Sequence, residues 1–224
     1  SESRGGEGRG MTGIPEPRAV IDRRALVARV ERALADQKRP VQARPAILEA
    51  FKDAHRKGWD EVRRRFEQDG ISGIEAAVQH SFLIDQIVRT LYDTGERLFP
   101  AAGKAGAETI GIVATGGYGR GRLAPFSDID LMFLTARKIT ARGKALVEFM
   151  LYILWDLGLK VGHATRTAAE AVRLAKEDLT IRTSLLEARW VWGDRELFDE
   201  FRARFAKDVV AGSGRAFVEA KLAE

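Results

Sequence analysis

Two aspartates and a pair of glycines are the residues of this chain whose types and spacing could do chemistry. Gly116 and Gly117 follow an apolar run, and Asp128 and Asp130 come shortly after them, separated by one residue. Glycine tolerates backbone conformations that a side chain forbids, and its missing Cβ lets backbone N–H groups approach a phosphate. Such N–H groups are unpaired where a helix begins, as we predict near Tyr118. This order of residues predicts a phosphate-binding turn beside a pair of acids.

The two aspartates are predicted to lie on one face of a strand. Successive strand residues point to opposite faces, so Asp128 and Asp130 share a face. The apolar residues between and after them face a core: Ile129, Leu131 and Phe133. Neighbouring carboxylates repel each other, and oxygen ligands of this kind suit Mg²⁺ or Mn²⁺. Two such ions, about 3.5–4 Å apart, would stabilise the attacking and leaving oxygens of an in-line displacement.

Other residues near the glycines are candidates for nucleotide binding. Ser127 directly precedes the aspartate pair and is predicted to hold the phosphates together with the glycines. Arg120 and Arg122 either neutralise phosphate charge or are ordinary surface cations. A P-loop is excluded, because the sequence contains no Gly-Lys-Ser or Gly-Lys-Thr. A dinucleotide fingerprint is excluded as well, because the glycines are spaced G-x-G-x-G and the acids follow too early.

Longer stretches around these residues resemble a known family. The run 116–131 joins Gly-Gly-Tyr-Gly-Arg-Gly to Ser-Asp-Ile-Asp-Leu, and it resembles the catalytic motif of the bacterial protein-PII uridylyltransferase/uridylyl-removing enzymes. These enzymes lie within the DNA polymerase β-type nucleotidyltransferase superfamily. The likeness covers roughly residue 74 to the C-terminus. Further resembling blocks lie at 155–167, 178–180 and 185–189.

The resemblance implies both a fold and an activity. The fold is α+β and polymerase β-like, with a small mixed sheet, flanking helices, an N-terminal helical arm and a helical C-terminal part. The activity is transfer of UMP from UTP to a tyrosine of the PII nitrogen-signalling protein, with release of pyrophosphate and with Mg²⁺ or Mn²⁺ as cofactor. Catalysis and metal binding fall to Asp128 and Asp130. Nucleotide binding falls to Gly116, Gly117 and Ser127.

The other activities of the family require parts that this sequence does not show. Its members also carry an HD-type phosphohydrolase domain and C-terminal ACT domains that sense glutamine. None of the histidines, His55, His80 and His163, is followed by aspartate, and the sequence stops at Glu224. We read the chain as an N-terminal piece or a natural short version. We expect UTP binding with weak or absent transfer, no removal of UMP from modified PII and no response to glutamine.

A third carboxylate, common in the superfamily, has no clear position in this sequence. The predicted third strand, 159–165, offers His163 rather than an acid on the face that we expect to meet the site. His163 and the nearby Arg166 are therefore site candidates, with an ordinary strand histidine as the alternative for His163. Glu170 is also near, but Thr167-x-x-Glu170 is typical of a helix capping box.

The composition predicts a cytoplasmic protein without a nucleic-acid or membrane partner. The chain has no cysteine, which excludes disulfides and cysteine metal sites and is compatible with a reducing compartment. Its richest apolar stretch, Ala145–Leu157, is shorter than the roughly 20 residues that span a bilayer and predicts a buried helix. The net charge of +5 comes from 37 basic and 32 acidic residues interleaved along helices, which is typical of solvated surfaces.

The predicted organisation has four regions. Residues 1–18 are a disordered or tag-like N-terminus, 19–73 a helical arm, 74–166 the nucleotidyltransferase core and 167–224 a truncated helical region. Strands are predicted at 109–115, 128–134 and 159–165. Helices are predicted at 19–38, 46–68 with a possible break at Gly58, 72–99, 145–157, 167–176, 178–192, 194–207 and from Gly214. The buried stripe of the helix at 72–99 is predicted to contain Ile74, Val78, Phe82, Ile87 and Leu91.

Three alternatives remain open from the residues alone. The donor could be ATP and the acceptor another protein or a small molecule. The chain could bind a nucleotide as a regulatory module without catalysis, because no third acid is placed. It could also be a helical interaction module in which the glycines are only structural. Metal-dependent UTP binding separates the first two from the third, and turnover separates the first from the second.

Overall fold

Four strands form the centre of the structure, a computed structural model that describes residues 13–103 and 108–212. The strands are β1, Ile110–Thr115; β2, Ile129–Thr135; β3, Val161–Arg166; and β4, Arg189–Gly193. Their order in the sheet is β3-β2-β1-β4. β1 pairs antiparallel with both β2 and β4, whereas β2 and β3 are parallel. The predicted α+β fold with a small mixed sheet is confirmed.

Helices cover both faces of this sheet. A short 3₁₀ turn, Pro40–Ala43, precedes the third helix, and a π turn, Ala206–Val210, continues the last. The helices are α1, Pro17–Val20; α2, Arg23–Ala35; α3, Arg44–Gln68; α4, Gly73–Leu98; α5, Gly116–Gly119; α6, Ala141–Asp156; α7, Ala168–Glu177; α8, Leu179–Leu186; and α9, Arg195–Phe205.

The alternation of side chains along β2 divides the core into two layers. Ile129, Leu131 and Phe133 are buried among residues of α2, α3, α4 and α6, which confirms that they face a core. Met132 and Leu134 point to the opposite face, where they pack with apolar residues of α7, α8 and α9. The buried helix predicted around 145–157 is α6. Asp130 shares the second face with Met132, and this places it on the side of α7 and α8.

Both predicted capping boxes form. Ser72 Oγ accepts from the backbone N–H of Glu75 at 3.1 Å, and the Glu75 carboxylate accepts from the Ser72 N–H at 2.7 Å. The same reciprocal pair joins Thr167 and Glu170 at the start of α7. Each box satisfies N–H groups that the first helical turn leaves unpaired. Glu170 therefore caps a helix, as predicted from its spacing.

One predicted helix is wrong over its second half. The helix expected over 178–192 ends at Leu186, and 189–193 forms β4 at the edge of the sheet. Aromatic and β-branched residues favour strands, and Trp190, Val191 and Trp192 occupy this segment. Val191 is fully buried, and its burial against the sheet outweighs the helical spacing.

Two smaller predictions about the long helices are also wrong. Gly58 does not break α3, because it lies inside a continuous helix and packs closely against Leu83 of α4. Ile74 does not belong to the buried stripe, because it lies in the first turn of α4 and is 61% exposed. Ile87 and Leu91 are fully buried, so the stripe is buried where α4 crosses the sheet. The predictions for residues 1–12 and for the helix from Gly214 lie outside the described residues.

None of the helices within 13–103 and 108–212 combines the length and apolarity needed to cross a membrane. This finding concerns only the described part of the chain.

Acid is expected to destabilise the fold through His55. Burial, together with the charge of His80, lowers the pKa of His55 from 6.5 to about 4. Between these two pKa values the unfolded chain binds a proton at His55 and the folded chain does not. The contribution of His55 to the free energy of unfolding is therefore fully present above pH 6.5 and is lost as the pH falls toward 4. The loss is at most about 3 kcal/mol, from about 1.4 kcal/mol for each pKa unit. Urea unfolding at several pH values measures it.

The matched variant for this effect is His55→Gln. It is expected to flatten the decline in the free energy of unfolding between pH 6.5 and 5. The salt-bridged Glu61, whose pKa is lowered to about 2, loses its contribution only at more acidic pH, so the two windows separate. An unchanged slope in His55→Gln would show that another group causes the decline.

Candidate functional site

The Asp130 carboxylate lies between two glycines at one end of a cleft. Asp130 on β2 pairs with Thr115 on β1 and with Gly162 on β3. A Cβ at Gly162 would lie 2.6 Å from Asp130 Oδ1, and one at Gly116 would lie 3.1 Å from Asp130 Oδ2. Gly116 also has φ +56°, which side chains rarely adopt. A side chain at either position would displace this carboxylate, and at Gly116 it would also strain the backbone.

The electrostatics of Asp130 show a carboxylate without a counter-charge. Burial raises the pKa of Asp130, and the nearby charge of Asp128 raises it further. A salt-bridged carboxylate behaves in the opposite way, because a cation favours the ionised form. The site is thus electrostatically suited to a bound cation. Within the described residues, however, no three His, Cys, Asp or Glu side chains converge into a group that could hold a metal ion.

The cleft beside Asp130 has a volume of about 740 Å³. One wall is the sheet surface of β2 and β3, and the other is α8. Pockets for small ligands measure about 300–1,000 Å³, so the cleft can hold a nucleoside triphosphate. Its lining includes five residues that were predicted for the site: Gly116, Arg120, Asp130, His163 and Arg166.

The other predicted site residues lie outside the cleft lining. Asp128 precedes β2 rather than lying within it, and its exposed side chain belongs to the loop that joins α5 to β2. Arg122 and Ser127 are exposed in the same loop. The backbone N–H of Ser127 donates to the Ala124 carbonyl oxygen at 3.2 Å, which fixes a turn just before the aspartates.

Gly117 and Arg120 lie on the first turn after β1. A Cβ at Gly117 would meet only the Arg120 guanidinium, at 3.4 Å, among the described atoms. The fold therefore does not require a glycine at 117. Arg120 is exposed, and its guanidinium forms no ion pair with the described residues. An arginine without an ion pair among the described residues and an unobstructed backbone thus border the same cleft as Asp130.

His163 is placed differently from the other candidates. It pairs with Leu131, whose side chain lies on the opposite face of the sheet from Asp130. The His163 ring contacts Trp155 of α6, with 6.0 Å between ring centroids. His163 therefore borders the cleft while its ring packs on the other side of the sheet. Arg166 shares the cleft face with Asp130, four residues further along β3 than Gly162.

A buried polar network packs against the glycine turn, which is the short helix α5 at Gly116–Gly119. The sequence did not predict this network. The Tyr118 hydroxyl donates to Asp85 Oδ1 at 2.5 Å, and Tyr118 is fully buried. Arg189 Nη1 donates to Asp85 Oδ2 at 2.7 Å. Arg189 also donates to two backbone carbonyls of the turn. Two features of the sequence could have indicated this network. One is Asp85, an acid among the apolar residues of α4, and the other is that Tyr118 and Arg189 lie in the stretches that resemble the known family.

The role of α8 was also missed. Asp178 caps this helix by accepting from the N–H of Ile181 at 3.0 Å. Three hydroxyl-bearing residues of the capped helix line the cleft, and Glu187 lies just after the helix on the same cleft. The hydroxyl residues are Thr180, Thr183 and Ser184. In the sequence, block 178–180 indicates only a resemblance and not a cleft wall.

Comparison with known proteins identifies relatives of this chain. The family described as nucleotidyltransferase domain matches residues 102–191. A bifunctional uridylyltransferase/uridylyl-removing enzyme of Azospirillum brasilense is 50% identical over 216 residues, covering 96% of this chain and 23% of that protein. The protein of the same name from Erythrobacter litoralis is 49% identical over 212 residues, covering 94% of this chain and 23% of that protein. The chain spans about a quarter of the length of these relatives.

We call the end of the cleft at which Asp130 lies its head. The matched range includes every element that forms this head. It contains β1, the glycine turn, Asp128, Asp130 and β3. The resemblance seen in the sequence is confirmed, and the matched domain is of the nucleotidyltransferase type. The chain carries a nucleotidyltransferase domain and is a homologue, over nearly its whole length, of part of the bifunctional uridylyltransferase/uridylyl-removing enzymes.

Proposed function

We propose that this chain forms the donor site of a uridylyltransferase that transfers UMP from UTP to a tyrosine hydroxyl of a PII-type signalling protein. Pyrophosphate is the second product. The observation that carries this proposal is the Asp130 carboxylate, held between Gly116 and Gly162 at the head of the cleft. The names of the relatives support uridylyl transfer, and the motif resemblance supports PII as the acceptor.

The residues present fit a divalent cation that is shared with the substrate. Mg²⁺ binds proteins through one or two carboxylates and completes its coordination with substrate phosphates and water. Asp130 and Asp128 supply such carboxylates, and burial together with the charge of Asp128 raises the pKa of Asp130, an effect that a bound cation would offset. When bound, Mg²⁺ or Mn²⁺ would neutralise the triphosphate and polarise the α-phosphoryl group.

The protein groups act mainly by positioning the reactants. The backbone N–H groups at Gly116 and Gly117 bind phosphate oxygens, and Arg120 offsets the charge on the departing pyrophosphate. The tyrosine oxygen forms a bond to the α-phosphorus, and the bond from that phosphorus to the bridging oxygen of pyrophosphate breaks. The phenol proton passes to solvent.

The nucleoside half of UTP is proposed to lie along α8. Thr180 and Ser184 present hydroxyls that can donate to or accept from ribose and base. The Thr183 hydroxyl already donates to the Leu179 carbonyl at 2.9 Å, so toward the cleft it offers only an acceptor. Leu179 is 70% exposed at the cleft and supplies an apolar surface for the flat face of the base.

A labelled-nucleotide transfer assay tests the proposed function. The chain is incubated with α-labelled UTP or ATP, with Mg²⁺, Mn²⁺ or chelator, and with or without a PII protein. We expect label to enter PII only with UTP and metal. A PII variant with phenylalanine in place of the acceptor tyrosine is the matched control and should remain unlabelled.

Other results of this assay favour the alternatives. Label transferred from ATP but not from UTP would overturn the assignment of the donor. Metal-dependent binding of UTP without transfer to PII would favour a regulatory nucleotide-binding module. Binding is measured separately by calorimetry, so that a weak acceptor reaction is not mistaken for an absent donor site.

A further inference from the structure

We propose that Arg189 is a positioning residue for the donor phosphates. It holds the glycine turn in place through hydrogen bonds to two backbone carbonyls of the turn. Asp85 orients the guanidinium of Arg189. This inference rests on the proposed function, because it assumes that the turn binds the triphosphate. Arg189 does not line the cleft, so it acts through the backbone of the turn rather than on the nucleotide itself.

The turn that carries the glycines is the four-residue helix α5, Gly116–Gly119, and so short a helix has little stability of its own. Its Tyr118 carbonyl oxygen accepts from the backbone N–H of Gly121 at 3.1 Å. Arg189 adds two further bonds to the turn from β4. Its Nη2 donates to the Tyr118 carbonyl oxygen at 3.1 Å, and its Nε donates to the Gly119 carbonyl oxygen at 3.2 Å.

Asp85 fixes the direction of the Arg189 guanidinium. Its two carboxylate oxygens accept from Arg189 Nη1 at 2.7 Å and from Nη2 at 3.1 Å. The Tyr118 hydroxyl adds a third bond to the same carboxylate at 2.5 Å. The guanidinium also lies over the Tyr118 ring, 5.3 Å from its centroid. The arginine, the aspartate and the turn are therefore locked together in one geometry.

Stability alone is a weak explanation for this arrangement. Asp85 is only 9% exposed, and a buried ion pair often stabilises a fold no better than apolar residues of similar volume. What the pair provides is a fixed position for the backbone of α5. Phosphate-binding N–H groups are effective when they are oriented before the ligand arrives, since reorientation during binding costs free energy.

The test compares Arg189→Lys and Arg189→Ala with a matched variant, Arg23→Ala. Arg23 also pairs with an aspartate of α4, Asp93, at 2.5 Å, and its guanidinium also lies over a ring of the sheet, Trp192 of β4. Arg23→Ala therefore removes a similar arginine–aspartate pair from α4 and a similar contact with a ring of β4, but the arginine belongs to α2 and lies away from the glycine turn. For each variant, calorimetry gives the affinity for UTP with Mg²⁺, and urea unfolding gives the stability.

Lysine keeps the charge that Asp85 needs but cannot bond both carbonyls with a planar fork. We expect Arg189→Lys to remain folded and to lose UTP affinity about tenfold, the effect of losing one or two supporting hydrogen bonds. We expect Arg23→Ala to keep wild-type affinity. Added guanidinium ion, at concentrations that leave the fold intact, should restore part of the affinity of Arg189→Ala and change neither the wild type nor Arg23→Ala.

Two results would overturn the positioning role. One is wild-type UTP affinity in folded Arg189→Lys. The other is an affinity loss in Arg23→Ala equal to that in Arg189→Lys at matched stability, which would show that any loosening of the packing around α4 has the same effect. If the wild-type chain itself does not bind UTP with Mg²⁺, it is the proposed donor site that fails, and the two failures are distinguished.

Discussion

Asp130→Asn is expected to abolish nucleotidyl transfer while leaving the fold intact or slightly more stable. The amide removes an oxygen ligand at the head of the cleft, and the expected loss of activity is more than about a hundredfold. Even groups that only orient metal ligands contribute about 10–100-fold to activity. The gain in stability follows from the raised pKa of Asp130, because its ionised form is disfavoured in the folded chain at neutral pH. Turnover and urea unfolding are measured on the same preparation.

The matched control for this variant is Asp199→Asn. Asp199 lies on α9, its side chain is 60% exposed, and its partner is Arg195. It should change neither transfer nor stability by a measurable amount, because exposed ion pairs contribute little. Asp128→Asn is expected to lose transfer too, although Asp128 lies in the loop before β2. Near wild-type turnover in Asp130→Asn would rule out its proposed role in holding metal.

Gly117→Val is expected to remove most of the affinity for UTP with little loss of stability. A Cβ at 117 meets only the end of the Arg120 side chain, so the fold tolerates a side chain there. The branched valine instead occupies the space through which a phosphate would approach the backbone. Calorimetric titration of UTP with Mg²⁺ should show at least about a tenfold weaker affinity, the effect of losing one strong contact.

Gly73→Val provides the matched comparison. Gly73 is the first residue of α4, and a Cβ there meets nothing within 4 Å. The same substitution at the start of a helix remote from the cleft should therefore leave UTP affinity unchanged. A folded Gly117→Val that binds UTP as tightly as the wild type would reduce Gly116-Gly117 to an ordinary turn.

Local patterns in the sequence predicted the elements at the head of the cleft. An apolar run predicted β1, and the alternation after Asp128 predicted β2 and the inward face of Ile129 and Leu131. Spacing of Ser72 with Glu75 predicted the start of α4. Each of these features depends on residues that are close together in the chain. The interactions that form the element are therefore the ones that produce the sequence pattern.

The parts that could not be predicted depend on distant pairings. The face of β3 that meets the cleft is set by the pairing of Asp130 with Gly162, and a shift of one residue would have brought His163 to that side. The sequence does not specify this register. The bonds from Arg189 to Asp85 likewise join residues 104 positions apart, so no local sequence pattern predicts them.

The dependence of the glycine turn on β4 also determines when the site can form during synthesis. The turn is complete in the chain at Gly119, but the arginine that holds it lies 70 residues later. Domains fold as the ribosome releases them, and a pairing that closes a long loop must wait for its second partner. The nascent chain therefore carries both aspartates and both glycines well before the bonds from Arg189 can form, and the turn gains this support only after β4 has emerged.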